Sequence, residues 1–452
     1  MNTIMENGAI AMTINDYLQL DCAGTQSLVS PGEVTIRRKE GRALKAGGAW
    51  IYDNEIQSIT GAENGSIVRV LDWDGFFLGY GFLNMNSKLR VRMLARRQEN
   101  AITPAFIFRR VEDAWNYRKK VLPVPGAGNL SSSRQNTEDA CRVIFGEADF
   151  LPGLTIDKYG DVLVVESLAL GLEHPLPGMP EGVTLKILCL ACLVQLLLRD
   201  GIRVRGIYER SDAKVREKEG LERAKGFLSE EFDTNVPITE NGIKYIVDVK
   251  DGQKTGFFLD QKFNRLAIRG ICSGAEEVLD CFTHTGSFGL NAAAAGAVHV
   301  TSIDASELAI AQARENAALN GLQDKITYMT GDVFDFLPEQ VRKGRQYDVV
   351  ILDPPAFTKS RNSVKAAAHG YREINAEGLR LVKNGGFLAT CSCSHFMAPE
   401  LLRQAIDQAA HDAHKRLRQV EFRQQGPDHP ILWENDASYY LKFYIFQVVD
   451  EL

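Results

Sequence analysis

A chain of 452 residues exceeds what one ordinary hydrophobic core can organise, so two or three domains are expected. Hydrophobic residues make up 45% and charged residues 24%, the balance of a globular protein folded in water and not of a disordered or fibrous chain. The formal net charge of −6, from 52 basic and 58 acidic residues, leaves any nucleic-acid contact to local basic patches.

Residues 1–25 show no firm periodicity and read as a loosely packed leader. With Glu6 and Asp16 among small and polar types, they lack the basic start and apolar stretch of a signal peptide, so a cytoplasmic location is expected. Residues 26–100 carry short β-branched and aromatic runs punctuated by glycine, the pattern of a small β-barrel. Two basic groups mark its surface: Arg37, Arg38, Lys39, Arg42 and Lys45, then Lys88, Arg90, Arg92, Arg96 and Arg97 in a stretch without an acid. Trp50, Tyr52, Phe76, Phe77 and Tyr80 lie between them. Charge of one sign interleaved with aromatics suits a surface that tracks RNA phosphates, with Lys88, Arg90 and Arg92 as candidate contacts; a solvated face is the plainer alternative.

Residues 101–136 read as a connector. A helix is expected over 104–121, with Pro104 at its start and Arg118, Lys119 and Lys120 at its C-terminal end, where they suit the macrodipole; an exposed loop follows at 129–136. Residues 137–250 read as a small α+β domain. Its signals are a hairpin turn at Tyr159-Gly160-Asp161 and a leucine-rich run over 185–198, too short for the roughly 20 residues that span a bilayer. Its charge cluster, Glu209, Arg210, Asp212, Lys214 and Arg216, is expected to be solvated and to have no catalytic role. Cys189 and Cys192 form a C-x-x-C inside the leucine run with no second pair at zinc spacing, so packing and not metal is expected there. Residues 251–452 hold the chemistry. The approach to them, KTGFFLDQK at 254–262, is expected to pack through its phenylalanines and is placed to close over a ligand.

Residues 278–304 run strand, glycine loop, alanine-rich helix and second strand, ending at Asp304. A carboxylate at the tip of the second strand can accept both hydroxyls of a ribose, while glycine lets a ligand lie against the backbone, so the unit reads as a nucleoside site. NAD and S-adenosylmethionine are both compatible with such a unit. A pyrophosphate favours three glycines, whereas only Gly286 and Gly289 are present, and Asp280 would repel a pyrophosphate but hold an ammonium; the loop chemistry therefore favours S-adenosylmethionine.

Later strands are expected to end at Asp332, Asp353 and Cys393, which with Asp304 places four polar groups on the carboxyl edge of a doubly wound sheet. In Asp353-Pro354-Pro355-Ala356-Phe357 the prolines stiffen the turn. A fixed carboxylate beside the Phe357 ring suits a flipped planar base held by its edge and its face, although an Asp-Pro-Pro turn can also simply end a strand. Cys391 and Cys393 share one face of a strand. A thiolate adding to carbon 6 of a pyrimidine makes carbon 5 nucleophilic enough to take a methyl group. Cys393, nearer the strand end, is the candidate, and Cys391 reads as a packing residue.

The motifs VLDCFTHTGSFG, SIDAS, GDVF, DPPAF, GYREIN and TCSCS, preceded by IYERSDAKVREKEG and TGFFLDQK, resemble those of the ribosomal RNA large-subunit methyltransferase I family. The resemblance runs from about Val34 to the end of the sequence. It implies an α/β protein: an N-terminal PUA barrel, a small central α+β domain and a Rossmann-like class I S-adenosylmethionine-dependent domain. The implied reaction is methylation of carbon 5 of a cytosine in large-subunit ribosomal RNA. Carried over residue by residue, the resemblance implies cofactor contacts at Asp280, Phe282, Thr283, Gly286, Asp304, Asp332 and Val333. It places the catalytic thiol at Cys393 and makes Asp353 the acceptor from the cytosine, with Pro354 and Phe357 beside it. Ribosomal RNA is the implied partner; no membrane or metal is expected, and a homodimer stays open. The chain departs from the family at Gly47-Gly48-Ala49, where a His-Pro usually precedes the tryptophan, at His284 in place of a common tyrosine, and at the additional thiol of Cys391. Two other readings stand beside this one. The Asp-Pro-Pro-aromatic loop also resembles that of methyltransferases acting on exocyclic amines of purines, which need no cysteine, and a non-catalytic RNA-binding assembly factor would need neither.

Overall fold

The computed structural model describes residues 12–98, 101–122, 139–358, 360–433 and 438–450. The chain divides into two compact units, one of Met1–Ile238, Val247–Leu259 and Pro427–Ser438, the other of Thr239–Ile246, Asp260–Gly426 and Tyr439–Leu452. The loop expected at 129–136 lies outside the described residues.

In the first unit the glycine-punctuated runs form a six-stranded sheet in the order Trp50–Tyr52, Leu89–Ala95, Phe77–Leu83, Ile67–Leu71, Glu33–Ile36, Ile56–Thr60. Every pair is antiparallel except Ile67–Leu71 with Glu33–Ile36. Alternating positions such as Val34 and Ile36, and Val68 and Val70, point into a common core. A five-stranded sheet follows in the order Ala224–Phe227, Gly206–Ser211, Val162–Ser167, Leu154–Tyr159, Ala140–Phe145. Tyr159 pairs with Val162 across the expected hairpin turn, where Gly160 takes a φ of +54°. The helices Pro104–Val121 and Leu185–Arg199 start at the side-chain caps Thr103 and Thr184 and share one hydrophobic core with this sheet. The second is apolar almost all round, and Cys189 and Cys192 are fully buried in it.

Three expectations change in this unit. The leader is packed from residue 12 onward: the helix Ile14–Gln19, capped by Thr13, buries Tyr17, whose hydroxyl donates to the Leu228 carbonyl at 2.9 Å. Gln195 Nε2 secures the same segment through the carbonyls of Tyr17 and Leu20. Arg118 is not a surface charge at a helix end; it is fully buried, forked on Asp149 and donating to the Asp428 carbonyl at 2.9 Å. The charge cluster is also largely interior. Lys186 Nζ donates to Glu173 and Glu209 at 2.8 Å each, and Arg216 reaches Glu173 at 3.1 Å. Buried charge is tolerated only where it is paired, and these partners lie far apart in sequence.

The second unit is built on a seven-stranded sheet in the order Ile326–Thr330, His299–Asp304, Glu277–Cys281, Tyr347–Leu352, Val382–Ser392, Lys442–Asp450, Lys415–Arg423. The first five strands are parallel and the last two join antiparallel. Chain order reverses between Glu277–Cys281 and Tyr347–Leu352, the switch point at which doubly wound sheets open a ligand crevice. Asn384-Gly385-Gly386 forms an irregularity within Val382–Ser392: Tyr347 pairs with Val382 but Val349 with Phe387.

On the helix Lys262–Ala267, which leads towards the central strand, Arg265 is 1% exposed and held on Glu240 by bonds of 2.6 and 2.8 Å. Glu240→Ala leaves that guanidinium buried without its carboxylate, so the variant is expected to lose roughly 3–5 kcal/mol of stability in urea unfolding. A loss below about 1 kcal/mol, typical of an exposed pair, would mean the pair does not hold this unit together.

Candidate active site

The strand Glu277–Cys281 delivers Asp280 to the carboxyl end of the sheet, fully buried. Its Oδ2 accepts from Thr283 Oγ1, from the Gly289 amide at 2.8 Å and from Ser302 Oγ at 3.2 Å, while Oδ1 is buried without a partner. Burial pushes the carboxyl up to about 7, against the three hydrogen bonds that pull it down. The following loop is strained: Phe282 and His284 hold φ angles of +61° and +51°, at a cost of about 1–3 kcal/mol each. Gly286, at φ +84°, caps the helix Ser287–Ala294, and a Cβ there would stand 2.8 Å from the Tyr328 hydroxyl. That hydroxyl and Thr285 Oγ1 are buried and unpartnered. Asp304 ends the second strand and accepts from the amides of His284 at 2.9 Å and Ser306 at 3.0 Å, one on each oxygen, which leaves acceptor capacity on both. Orphaned polar atoms around a strained glycine loop, with an unpartnered carboxylate oxygen on one side and an acceptor-rich carboxylate on the other, fit a nucleoside ligand that carries an ammonium group.

The other half of the edge is built around Asp353, directly after Leu352. Gln261 Nε2 donates to Asp353 Oδ1 at 3.0 Å, the Cys391 thiol donates to the same oxygen at 2.7 Å, and Asn264 Nδ2 fixes the Gln261 amide through its Oε1 at 2.7 Å. Burial raises the Asp353 carboxyl to about 6, with the Cys391 hydrogen bond acting downward. Burial, then the charge of Asp353, holds the Cys391 thiol well above its ordinary range. Cys391 is therefore more than the packing residue expected; it is a protonated donor that orients Asp353. Cys393 is partly exposed. Its neighbours Ser392 and Ser394 both bond the Tyr371 hydroxyl, at 2.8 and 3.2 Å, and the Tyr371 ring lies 4.6 Å from that of Phe357. Gln261, Tyr371 and Lys442, whose Nζ donates to the Ser394 carbonyl at 2.6 Å, escaped the sequence reading. Gln261 stands in the KTGFFLDQK approach and Tyr371 in GYREIN, but neither motif announces a chemistry for them, and no motif covers Lys442.

Asp332 caps the helix Val333–Arg342, its Oδ1 accepting from the Phe334 amide at 2.8 Å, and Val333 and Pro354 are buried. In the first unit the basic residues divide. Lys88 and Arg97 are exposed, and Arg90 is half-buried with a bond to the Asn84 carbonyl. Arg92 does not belong with them: its guanidinium lies between Glu147 at 3.1 Å and Glu219 at 3.2 Å, so its charge is neutralised internally and withheld from a phosphate. Arg96 is occupied by the carbonyls of Leu44, Gly47 and Gly48. Trp73, with Arg38 stacked 4.9 Å above it, and Phe76 remain exposed.

The S-adenosylmethionine-dependent methyltransferase family matches residues 214–447, and the PUA-like domain family matches residues 34–96. The fold is shared with a methyltransferase structure solved with S-adenosylhomocysteine, at a TM-score of 0.71 and 21% identity over 92% of this chain and 99% of that one. It is shared also with a SAM-dependent methyltransferase structure from Streptococcus mutans, at 0.70 and 20% over 92% and 99%. The protein is an S-adenosylmethionine-dependent methyltransferase with a PUA-like domain. Proteins named ribosomal RNA large subunit methyltransferase I are 36% identical over 93% of this chain and 99% of theirs in Alteromonas mediterranea, and 37% identical over 92% and 99% in Shewanella denitrificans. The chain belongs to the ribosomal RNA large subunit methyltransferase I family.

S-adenosylmethionine brings an ammonium, and Asp280 is neutral below about pH 7 and ionised above it. Cofactor affinity is therefore expected to fall as the pH drops through about 7, and Asp280→Asn to flatten the profile and to weaken binding at alkaline pH by at least roughly tenfold. His284, which burial lowers to about 4, stays neutral across this window, and Asp353→Asn controls for the group at about 6. Calorimetry across pH reads the slope; a flat wild-type profile would place the ammonium elsewhere.

Proposed function

We propose that the protein methylates carbon 5 of a cytosine in large-subunit ribosomal RNA, with Cys393 adding to carbon 6. The observation that carries this reading is a partly exposed thiol on the same sheet edge as a rigid carboxylate: Asp353 and Cys393 each stand directly past the end of neighbouring parallel strands, in which Leu352 pairs with Thr390. The Cys393 thiolate forms the bond to carbon 6, and the electron pair displaced from the ring double bond raises the nucleophilicity of carbon 5. Asp353, held by Gln261 and Cys391, accepts from the cytosine amino group, while Phe357 offers a face to the base. Bound S-adenosylmethionine supplies the electrophilic methyl group. Loss of the carbon 5 proton to a base and cleavage of the sulfur–carbon bond then restore the thiolate. Asp280, Phe282, Thr283, Gly286, Asp304, Asp332 and Val333 hold the cofactor in this reading. The ribosomal RNA substrate is supported by the names of the relatives, and a cytoplasmic location goes with it. Among the described residues no helix is long and apolar enough to cross a membrane.

RNA containing 5-fluorocytosine is expected to trap the protein covalently, since fluorine cannot leave as the proton would; a denaturing gel shows the adduct as a cofactor-dependent shifted band. Cys393→Ala abolishes both the band and turnover. Cys391→Ala retains the band with slower turnover, because Asp353 loses one of its two donors. If no form of the protein gives a band while methylated purine amines accumulate, amine methylation replaces this reading.

RNA contact by the first unit is expected to run through the exposed Lys88 and Arg97 and the half-buried Arg90, not Arg92. Replacing those three with alanine should reduce the slope of log affinity against log salt by about 2, from three released counterions on a single strand. An unchanged slope would remove this face from RNA contact.

A further inference from the structure

The loop over 249–257, which follows the strand Ile243–Asp248, is fixed along its length. Asp248 Oδ1 accepts from the amides of Lys250 and Asp251 at 2.9 Å each, and the Asp248 carbonyl accepts from Gly252 at 3.0 Å. Arg210, buried on the strand Gly206–Ser211, donates to the carbonyls of Val249 at 3.1 Å and Gly252 at 2.9 Å. Thr255 Oγ1 pins the far end by donating to Asp157 at 2.5 Å. Asp251, the acid of the loop, is taken by Lys225 Nζ at 2.7 Å.

Lys254 sits on this base with a φ of +58°, a strained conformation for a residue that carries a Cβ. Glycine would adopt it freely, and the fold gives no reason for a lysine. The side chain is exposed, and among the described residues its ammonium has neither a hydrogen bond nor an ion pair. Glu166 feels the charges of Arg142 and Lys254, but no ion pair joins Glu166 to Lys254, and burial holds the Glu166 carboxyl above its ordinary range. Lys250 and Gln253 are exposed in the same way, with no side-chain partner among the described residues. Side chains that donate thus stand at 250, 253 and 254, on backbone that is already ordered. Such a surface takes an anion without paying to order the loop.

We propose that this loop is an RNA contact additional to the barrel, with Lys250 and Lys254 on backbone phosphates. The inference rests on the reading of ribosomal RNA as the substrate. A strained backbone persists where its side chain is used, and an ammonium held out on a fixed loop with no partner of its own is used by a polyanion.

The test measures affinity for an unmodified large-subunit ribosomal RNA transcript over a salt series, together with thermal unfolding, in wild type, Lys254→Gly, Lys254→Arg and Lys250→Ala combined with Lys254→Gly. Lys254→Gly should lower the slope of log affinity against log salt by about 0.7 and weaken binding about fivefold near 0.1 M salt; the double variant should lower the slope by about 1.4. The same glycine should leave the unfolding midpoint unchanged or raise it, because it relieves the left-handed strain. Lys254→Arg keeps the charge and should keep the slope. A Lys254→Gly slope equal to that of the wild type overturns the proposal, as does a lowered midpoint, which would assign the lysine to the fold. The wild type separates the two ideas. No salt-dependent affinity for the transcript removes the RNA reading itself, whereas a wild-type slope carried unchanged by the glycine variant removes only this loop.

Discussion

One oxygen of the Asp280 carboxylate fixes the geometry of the cofactor unit. It is shared by Thr283 in the loop, the Gly289 amide in the following helix and Ser302 in the neighbouring strand, so that four consecutive elements meet at a single point. The approach is so close that a Cβ on Gly289 would lie 2.5 Å from Ser302 Oγ and 2.9 Å from the carboxylate, which makes glycine the requirement there. The loop has little chain with which to reach that point, and Phe282 and His284 take left-handed backbone conformations to do so. Bonds from Thr283 to the Ile303 carbonyl and from His284 to Asp304 hold the strain in place. The second oxygen stays orphaned, at about 1–3 kcal/mol, a defect that persists where a ligand completes the site.

The other end of the crevice gives two thiols of one strand different surroundings. Cys391 and Cys393 stand two apart on one strand, yet one meets a carboxylate and the other lies beside the residue that binds a lysine. A neighbouring anion keeps a thiol protonated. The contrast arises from what the adjacent strands contribute: Tyr347–Leu352 brings Asp353 on one side, and Lys442–Asp450 brings Lys442 on the other. The antiparallel partner strand, beyond the parallel part of the sheet, thus brings a buried ammonium to the Ser394 carbonyl at the strand end.

The elements with strong local signals were legible. The Tyr159-Gly160-Asp161 hairpin, the apolar helix Leu185–Arg199, the glycine loop and the strands ending at Asp304 and Leu352 each announce themselves within a short window. The family motifs carried the fold, the class and the cofactor. What stayed hidden depends on partners distant in sequence. Tyr17 is buried because it meets Leu228, Arg118 because it meets Asp149 and Asp428, and Gln261 acquires its place from Asp353 and Cys391. A window around any of these residues shows an ordinary polar or aromatic side chain, and nothing in it tells a solvated arginine from a buried one.

That same limit reshapes the reading of the basic stretch. Lys88, Arg90, Arg92, Arg96 and Arg97 look equivalent as a run of positive charge, but the structure bonds three of the five internally, Arg90 through the Asn84 carbonyl. Arg92 joins Glu147 and Glu219, and Arg96 ties down the carbonyls of Leu44, Gly47 and Gly48. A guanidinium has five donors in a fixed fork, so it can link separate segments where an ammonium offers a compact point charge. The two carboxylates offset the charge of Arg92, whereas Arg90 and Arg96, bonded to neutral carbonyls, keep theirs alongside Lys88 and Arg97. The field that a phosphate backbone would meet is therefore weaker and more localised than a count of basic residues suggests, and the exposed Trp73 and Phe76 add ring faces to which bases can stack.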